Sequence, residues 1–196
     1  MFCATKEKLM KVILVYPPLG SVRSEGLDAP LGLMYLAAVL RESGHQVKIV
    51  DNVFQTNWDY LKTVLAEYQP ALVGVYCACS VADASLEAAR ISKEISQDVL
   101  TVMGGPHATI DPQVYLENYN VDFVIRGEGE LALLELVRCL ELSEDYTKID
   151  GLCYKENGQP VISQVLAQQP DLDELPFPAW DLVDYDRYIE VTHSAT

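Results

Sequence analysis

The sequence predicts an α/β protein built on an open parallel sheet with helices on both faces. Three observations carry this. Short β-rich runs alternate with helical segments through most of the chain. The runs are nearly continuous in apolar residues (VILVY, DFVI), as strands covered on both faces are. Two of them stop directly in proline or glycine, at Pro17-Pro18 and Gly104-Gly105.

The elements follow in order. Lys11–Tyr16 is a buried strand stopped by Pro17-Pro18. A loop from Leu19 to Ala29 holds Gly20, Ser21, Ser24, Gly26 and Asp28. Pro30 suits a first helical turn, and Leu31–Glu42 follows as a helix with Leu33, Leu36, Ala37 and Leu40 on one face. Gly44 ends it, and Gln46–Asp51 is the second strand. Trp58–Tyr68 is helical and Ala71–Tyr76 is the third strand. Ala82–Ser96 is a helix with Leu86, Ala89 and Ile95 facing inward. Val99–Met103 is the fourth strand, stopped by Gly104-Gly105-Pro106. Pro112–Asn118 is a short helix, Asp122–Ile125 the fifth strand and Glu128–Leu140 the last helix of the series.

After Glu141 the rhythm stops. Ile149–Tyr154 and Pro160–Val165 flank Asn157-Gly158, a hairpin signature. From Gln169 on, Pro170, Pro176 and Pro178 interleave with acids and aromatics. This reads as an extended strap or linker outside the core. The predicted organisation is therefore one domain over 1–145, a hairpin extension over 146–168 and a linker over 169–196.

Of 196 residues, 49% are hydrophobic and 22% charged, which excludes wholesale disorder. The net charge of -15 argues against binding phosphate backbones, so no nucleic-acid partner is expected. The acidic excess sits in the second half, where it reads mainly as a solvated face. The longest apolar run, Leu31 to Leu40, is too short for a bilayer span, and the start, with Lys6, Glu7, Lys8 and Lys11, is no signal peptide. Five cysteines (Cys3, Cys77, Cys79, Cys139, Cys153) at irregular spacing fit a reducing cytoplasm, and none has metal-site spacing.

In such a sheet, ligands bind beyond the carboxyl ends of the strands. The irregular local sequences lie there: Pro17-Pro18, Cys77 to Ser80, Gly104 to His107, and Arg126-Gly127-Glu128-Gly129-Glu130. Gly104 and Gly105 permit close approach of a large or phosphate-bearing ligand, or make a tight turn. Ser80 offers a hydroxyl or caps a helix. Cys77 and Cys79 point to opposite sides of a strand end. Glu128 and Glu130 suit a helix start, and would serve as a catalytic pair only if buried. His107 is a ligand or base, or a surface or capping residue. His45 is structural and His193 lies in the tail. No Gly-x-Gly-x-x-Gly follows the first strand, and no phosphate loop is present. Tyr16, Tyr76 and Arg126 stand where a phospho-receiver needs acids and a lysine.

Five segments together resemble the N-terminal cobalamin-binding domain of cobalamin-dependent radical SAM enzymes, the group containing the anaerobic magnesium-protoporphyrin ester oxidative cyclase. They are Val15–Pro18 (VYPP), Ala29–Asp51, Met103–Thr109 (MGGPHAT), Asp122–Glu130 (DFVIRGEGE), and the run from Ile149–Tyr154 to Leu172–Tyr188. The resemblance implies a flavodoxin-like, doubly wound five-stranded sheet of order 2-1-3-4-5, with the hairpin and proline-rich strap appended. It implies a corrinoid over the carboxyl ends of the strands, with its nucleotide tail descending near Ser80, Gly104 and Gly105. The cofactor-binding candidates are Pro17, Pro18, Cys79, Ser80, Gly104, Gly105, Pro106, His107, Gly127, Glu128 and Gly129. On this placement, enlarging Gly105 should block the tail and leave the fold intact. The first loop has no histidine, so no cobalt ligand and no catalytic residue is assigned.

The Cys-x3-Cys-x2-Cys motif that holds a four-iron cluster is absent from the sequence. The resemblance implies a following radical SAM domain that carries that cluster and S-adenosylmethionine. The chain alone would bind cobalamin and catalyse nothing. The whole enzyme would transfer a methyl group or convert an unreactive carbon by radicals. Two alternatives remain at this point: the N-terminal half of a two-domain glycosyltransferase, and a non-catalytic interaction module that has lost the cofactor.

Overall fold

The computed structural model describes residues 9–19 and 27–193, the side chains of 192 and 193 excepted. Cys3, Lys6, Glu7, Lys8, Gly20, Ser21, Ser24, Gly26 and the His193 side chain, all discussed above, lie outside the described residues. The elements run β1 (Lys11–Tyr16), α1 (Leu31–Glu42), β2 (Gln46–Asp51), α2 (Asp59–Tyr68), β3 (Leu72–Tyr76) and α3 (Ala82–Ile95). Then come β4 (Leu100–Gly104), α4 (Pro106–Ile110), α5 (Pro112–Leu116), β5 (Phe123–Ile125), α6 (Gly129–Leu142), β6 (Leu152–Glu156), β7 (Gln159–Val161) and α7 (Tyr185–His193).

Alternation along β1 builds two cores. Val12 and Leu14 face one side with Leu33, Met34 and Leu40 of α1 and Leu133 and Leu136 of α6. Ile13 and Val15 face the other with Leu61 and Leu65 of α2, Ala88 and Ile91 of α3, and Tyr115 of α5. The period of two thus places helices on both faces of a mostly parallel sheet. Ile95 departs from the expected inward face and is 42% exposed, because it ends α3 one turn beyond the packed stripe.

The expected five-stranded sheet is corrected. The sheet has seven strands, in the order β2-β1-β3-β4-β5-β6-β7. β6 pairs antiparallel with β5, through Val124 opposite Cys153, and β7 pairs antiparallel with β6. A free β5 would leave a row of backbone donors and acceptors open at the edge, and the hairpin satisfies them. Its turn takes Asn157 and Gly158 at φ 52 and 78, the left-handed geometry that Asn-Gly favours.

The strap also differs from its expected extended form. It carries two short 3-10 turns (Leu172–Glu174 and Trp180–Leu182) before α7. Ala179 donates its backbone N–H to Met34 O on α1 at 3.1 Å. Arg41 of α1 reaches both carboxylate oxygens of Asp181 at 2.8 Å. Tyr188 is buried with Leu27 and Val53. The overlooked helix signal is Asp184, whose carboxylate accepts from the Arg187 N–H and caps α7. Among the described residues no helix is long and apolar enough to cross a membrane.

Candidate functional site

A cavity of about 420 Å³ opens at the carboxyl ends of β1, β3, β4 and β5, between the sheet and the α1–α6 layer. That size suits a small-molecule ligand. Its floor is one row across the sheet, since Leu14 pairs with Gly74 and Gly74 with Val102. The missing side chain at Gly74 opens the row, and Leu14 leans into the space: a Cβ there would meet Leu14 Cδ2 at 2.8 Å. Leu33 and Leu36 of α1 and Leu133 of α6 supply the opposite wall.

Two residues further along their strands, Tyr16 and Tyr76 stand at the mouth, ring edge to face with centroids 5.3 Å apart. Burial, with Tyr76, Asp51 and Asp28 adding to it, pushes the Tyr16 phenol up to about 12. Burial raises Tyr76 as well, so both rings present neutral hydroxyls at neutral pH.

Five of the predicted site residues line the cavity: Gly104, Gly105, Gly127, Glu128 and Gly129. Their glycines serve different ends. A Cβ on Gly104 would meet nothing within 4 Å among the described residues, so this residue keeps the cavity open. Gly105 has φ +114, and a Cβ would lie 2.7 Å from Cys77 O. Backbone bonds Cys77 N–H to Gly104 O (2.7 Å) and His107 N–H to Cys77 O (3.1 Å) lace the β3 and β4 ends together here. The expectation that a bulky residue at 105 leaves the fold intact is therefore corrected, because that turn has no room for a side chain. Gly127, at φ +89, lies against the backbone of Ala167, whose N–H bonds Arg126 O and whose carbonyl accepts from the Glu128 N–H. A Cβ on Gly129 would sit 3.1 Å from Leu36, so glycine lets α6 approach α1.

The other six candidates do not line the cavity. Pro17 is buried and Pro18 half-buried just past β1. Cys79 and Ser80 are exposed on a 3-10 turn (Cys79–Val81) leading into α3, whose N-cap position is Val81 rather than Ser80. Pro106 is exposed at the start of α4. His107 Nδ1 is 2.7 Å from the hydroxyl of buried Tyr115. Arg126 is likewise structural, donating to Thr109 O at 3.0 Å and to Ser163 O.

The cavity also contains a group whose role the local sequence hides. Glu130, in the first turn of α6, lines it. Its Oε2 is shut off from solvent and has no hydrogen-bond partner among the described residues. Burial, and secondarily the charge of Glu128, raise its carboxyl above the ordinary range, against the pull of its own backbone N–H. A half-buried carboxyl with one closed-off, unpartnered oxygen and an open glycine in an apolar slot fit a flat ligand carrying a polar atom.

A parallel sheet with a slot beside its strand ends defines a ligand-binding α/β domain of the doubly wound kind. The chain belongs to the B12-binding domain family, whose model matches residues 22–137. It is 37% identical over 186 residues to an uncharacterized methyltransferase of Pyrococcus horikoshii, covering 92% of this chain and 40% of that protein. It is 28% identical over 191 residues to the anaerobic magnesium-protoporphyrin IX monomethyl ester cyclase of Rubrivivax gelatinosus, covering 93% of this chain and 34% of that protein. The chain thus spans about two-fifths or less of these curated relatives. Among solved structures, the cobalamin-dependent S-adenosylmethionine radical enzyme OxsB, with aqua-cobalamin and S-adenosylmethionine bound, superposes with a TM-score of 0.79. That match has 20% identity and covers 94% of this chain and 26% of the other, so it bears on the fold. The family is the one that the five sequence segments resemble.

Proposed function

We propose that this chain is the cobalamin-binding part of a radical SAM enzyme, and that the slot between the sheet and the α1–α6 layer receives the cofactor's nucleotide tail. The carrying observation is the coincidence of the family match with a slot held open by Gly104 at the carboxyl edge. A corrin ring would lie over the mouth of the slot, beside Tyr16 and Tyr76. Leu14, Leu36, Val102 and Leu133 would hold the tail between apolar walls. Gly127, Glu128 and Gly129 line the α6 side.

In this reading the five parallel strands are the flavodoxin-like core, with 1–145 as the corrinoid domain and 146–168 as its edge hairpin. Residues 169–196 lead towards a radical SAM domain, with four-iron cluster and S-adenosylmethionine, on the same polypeptide. The cytoplasm suits this assignment. Bound cobalamin supplies a methyl carrier or one-electron partner, and the protein's part is positioning.

The test is titration of the 196-residue chain with hydroxocobalamin, then desalting and an ultraviolet-visible spectrum. Retained corrinoid with a base-off spectrum is expected. A folded chain that retains none overturns the assignment.

A further inference from the structure

We propose that the Glu130 carboxyl donates a hydrogen bond to the unligated ring nitrogen of the base that ends the cobalamin tail, making the slot selective for corrinoids that carry a base. The proposal rests on the cobalamin reading above and adds the feature of the tail that this chain recognises.

Two unmet needs meet in the slot. On the protein side, Glu130 Oε2 is shut off from solvent and unpartnered among the described residues. Burying a polar atom without a partner is unfavourable, so such an atom inside a ligand cavity points to a ligand group. Burial and the neighbouring Glu128 favour the protonated form of Glu130, and a protonated carboxyl is a donor. On the ligand side, a base displaced from cobalt has a free ring nitrogen. Beside the apolar side chains of Leu14, Leu36 and Leu133 that nitrogen needs a donor from the protein. A carboxyl in its protonated form is the complement it requires.

The other polar groups of the cavity are placed differently. Tyr16 and Tyr76 stand at the strand ends, beside the mouth. Asp28 lies in the segment preceding α1, and Glu128 precedes the first turn of α6. Glu130 is the one of these whose carboxyl oxygen is both closed off from solvent and unpartnered among the described residues.

The experiment compares hydroxocobalamin with diaquocobinamide, which lacks the base, on the 196-residue chain and on Glu130→Met, Glu130→Ala and Glu130→Gln. Folding of each variant is read by circular dichroism. Met and Ala remove the donor with different side-chain volumes, so a packing defect in one does not decide the result. Loss of one hydrogen bond predicts an affinity for cobalamin about tenfold weaker in these two variants. Cobinamide affinity should stay unchanged, and the Gln variant, with an amide N–H, should keep most of the cobalamin preference. Equal weakening towards both corrinoids assigns Glu130 a structural role and overturns the proposal. Unchanged cobalamin affinity in the donor-free variants also overturns it, leaving the cobalamin reading intact. Retention of neither corrinoid by the unsubstituted chain removes both.

Discussion

Tyr188 and Asp51, 137 positions apart, share a hydrogen bond of 2.5 Å from the phenol to the carboxylate. It fastens α7 over the end of β2, where Phe54 packs edge-on against Tyr188 at 4.8 Å and Arg187 covers the Phe54 ring at 4.4 Å. Burial raises the Asp51 carboxyl, while the Tyr188 bond, the Val53 N–H and Arg187 pull it back. The last helix is thus part of the folded unit.

Tyr188→Phe should destabilise the chain by about 1–3 kcal/mol, the range for a bond to a charged group, as read by urea unfolding. The phenol favours the ionised carboxylate, so its removal moves the Asp51 titration further up. The loss should therefore be greater at neutral pH than below the ordinary carboxylate range. A variant as stable as the parent, with Asp51 titrating unchanged by NMR, would contradict this.

Gly104 and Gly105 should behave oppositely on substitution. Gly104→Leu projects into open space, so the fold should persist while cobalamin affinity falls by about tenfold or more. Gly105→Ala forces a Cβ into a left-handed turn against Cys77 O and should cost about 1–3 kcal/mol of stability. Equal melting temperatures for the Gly105 variant and the parent would show that the turn yields.

Glu130→Gln should stabilise the cofactor-free chain at neutral pH. The folded carboxyl titrates above its unfolded value, so its contribution is fully present below the unfolded pKa and is lost as pH rises through the folded one. The variant has no ionisation there. Its advantage should grow from the ordinary carboxylate range upward and vanish at lower pH, by thermal melts across that window. A constant difference at every pH would remove Glu130 from the account.

Among the described cysteines, Cys79 is exposed and Cys77, Cys139 and Cys153 are buried. Burial pushes the Cys77 thiol up to about 12 and raises the other two buried thiols. Alkylation under native conditions should therefore label Cys79 well before these three, as mapped by mass spectrometry. Early label at Cys77 would mean that the β3 end opens.

The strands and their helices were legible because their signals are local: apolar runs, terminal glycines, and prolines at first turns. Asn157-Gly158 announced its turn for the same reason. Pairing of β6 on β5 was not legible, since Val124 and Cys153 find each other only once the chain has folded. α7 was obscured by Pro176 and Pro178 upstream, and its anchor, Tyr188, is held by Asp51 far along the chain. At the site, the family segments located the loops, and five of the eleven candidate residues line the cavity. Glu130 reads in sequence as an ordinary helix-start carboxylate. Its concealment depends on α6 meeting α1 through Gly129 and Leu36, a contact between distant segments.

The annexed hairpin has one more consequence, for the molecule in a crowded solution. It moves the sheet's boundary from the buried apolar triplet Phe123–Ile125 to a three-residue strand with Pro160 at its centre. Proline has no N–H to offer a docking strand, and three residues give little length to grip. At the opposite boundary, β2 carries exposed Lys48 in mid-strand. Both rims of the sheet therefore resist polymerising with their neighbours rim to rim.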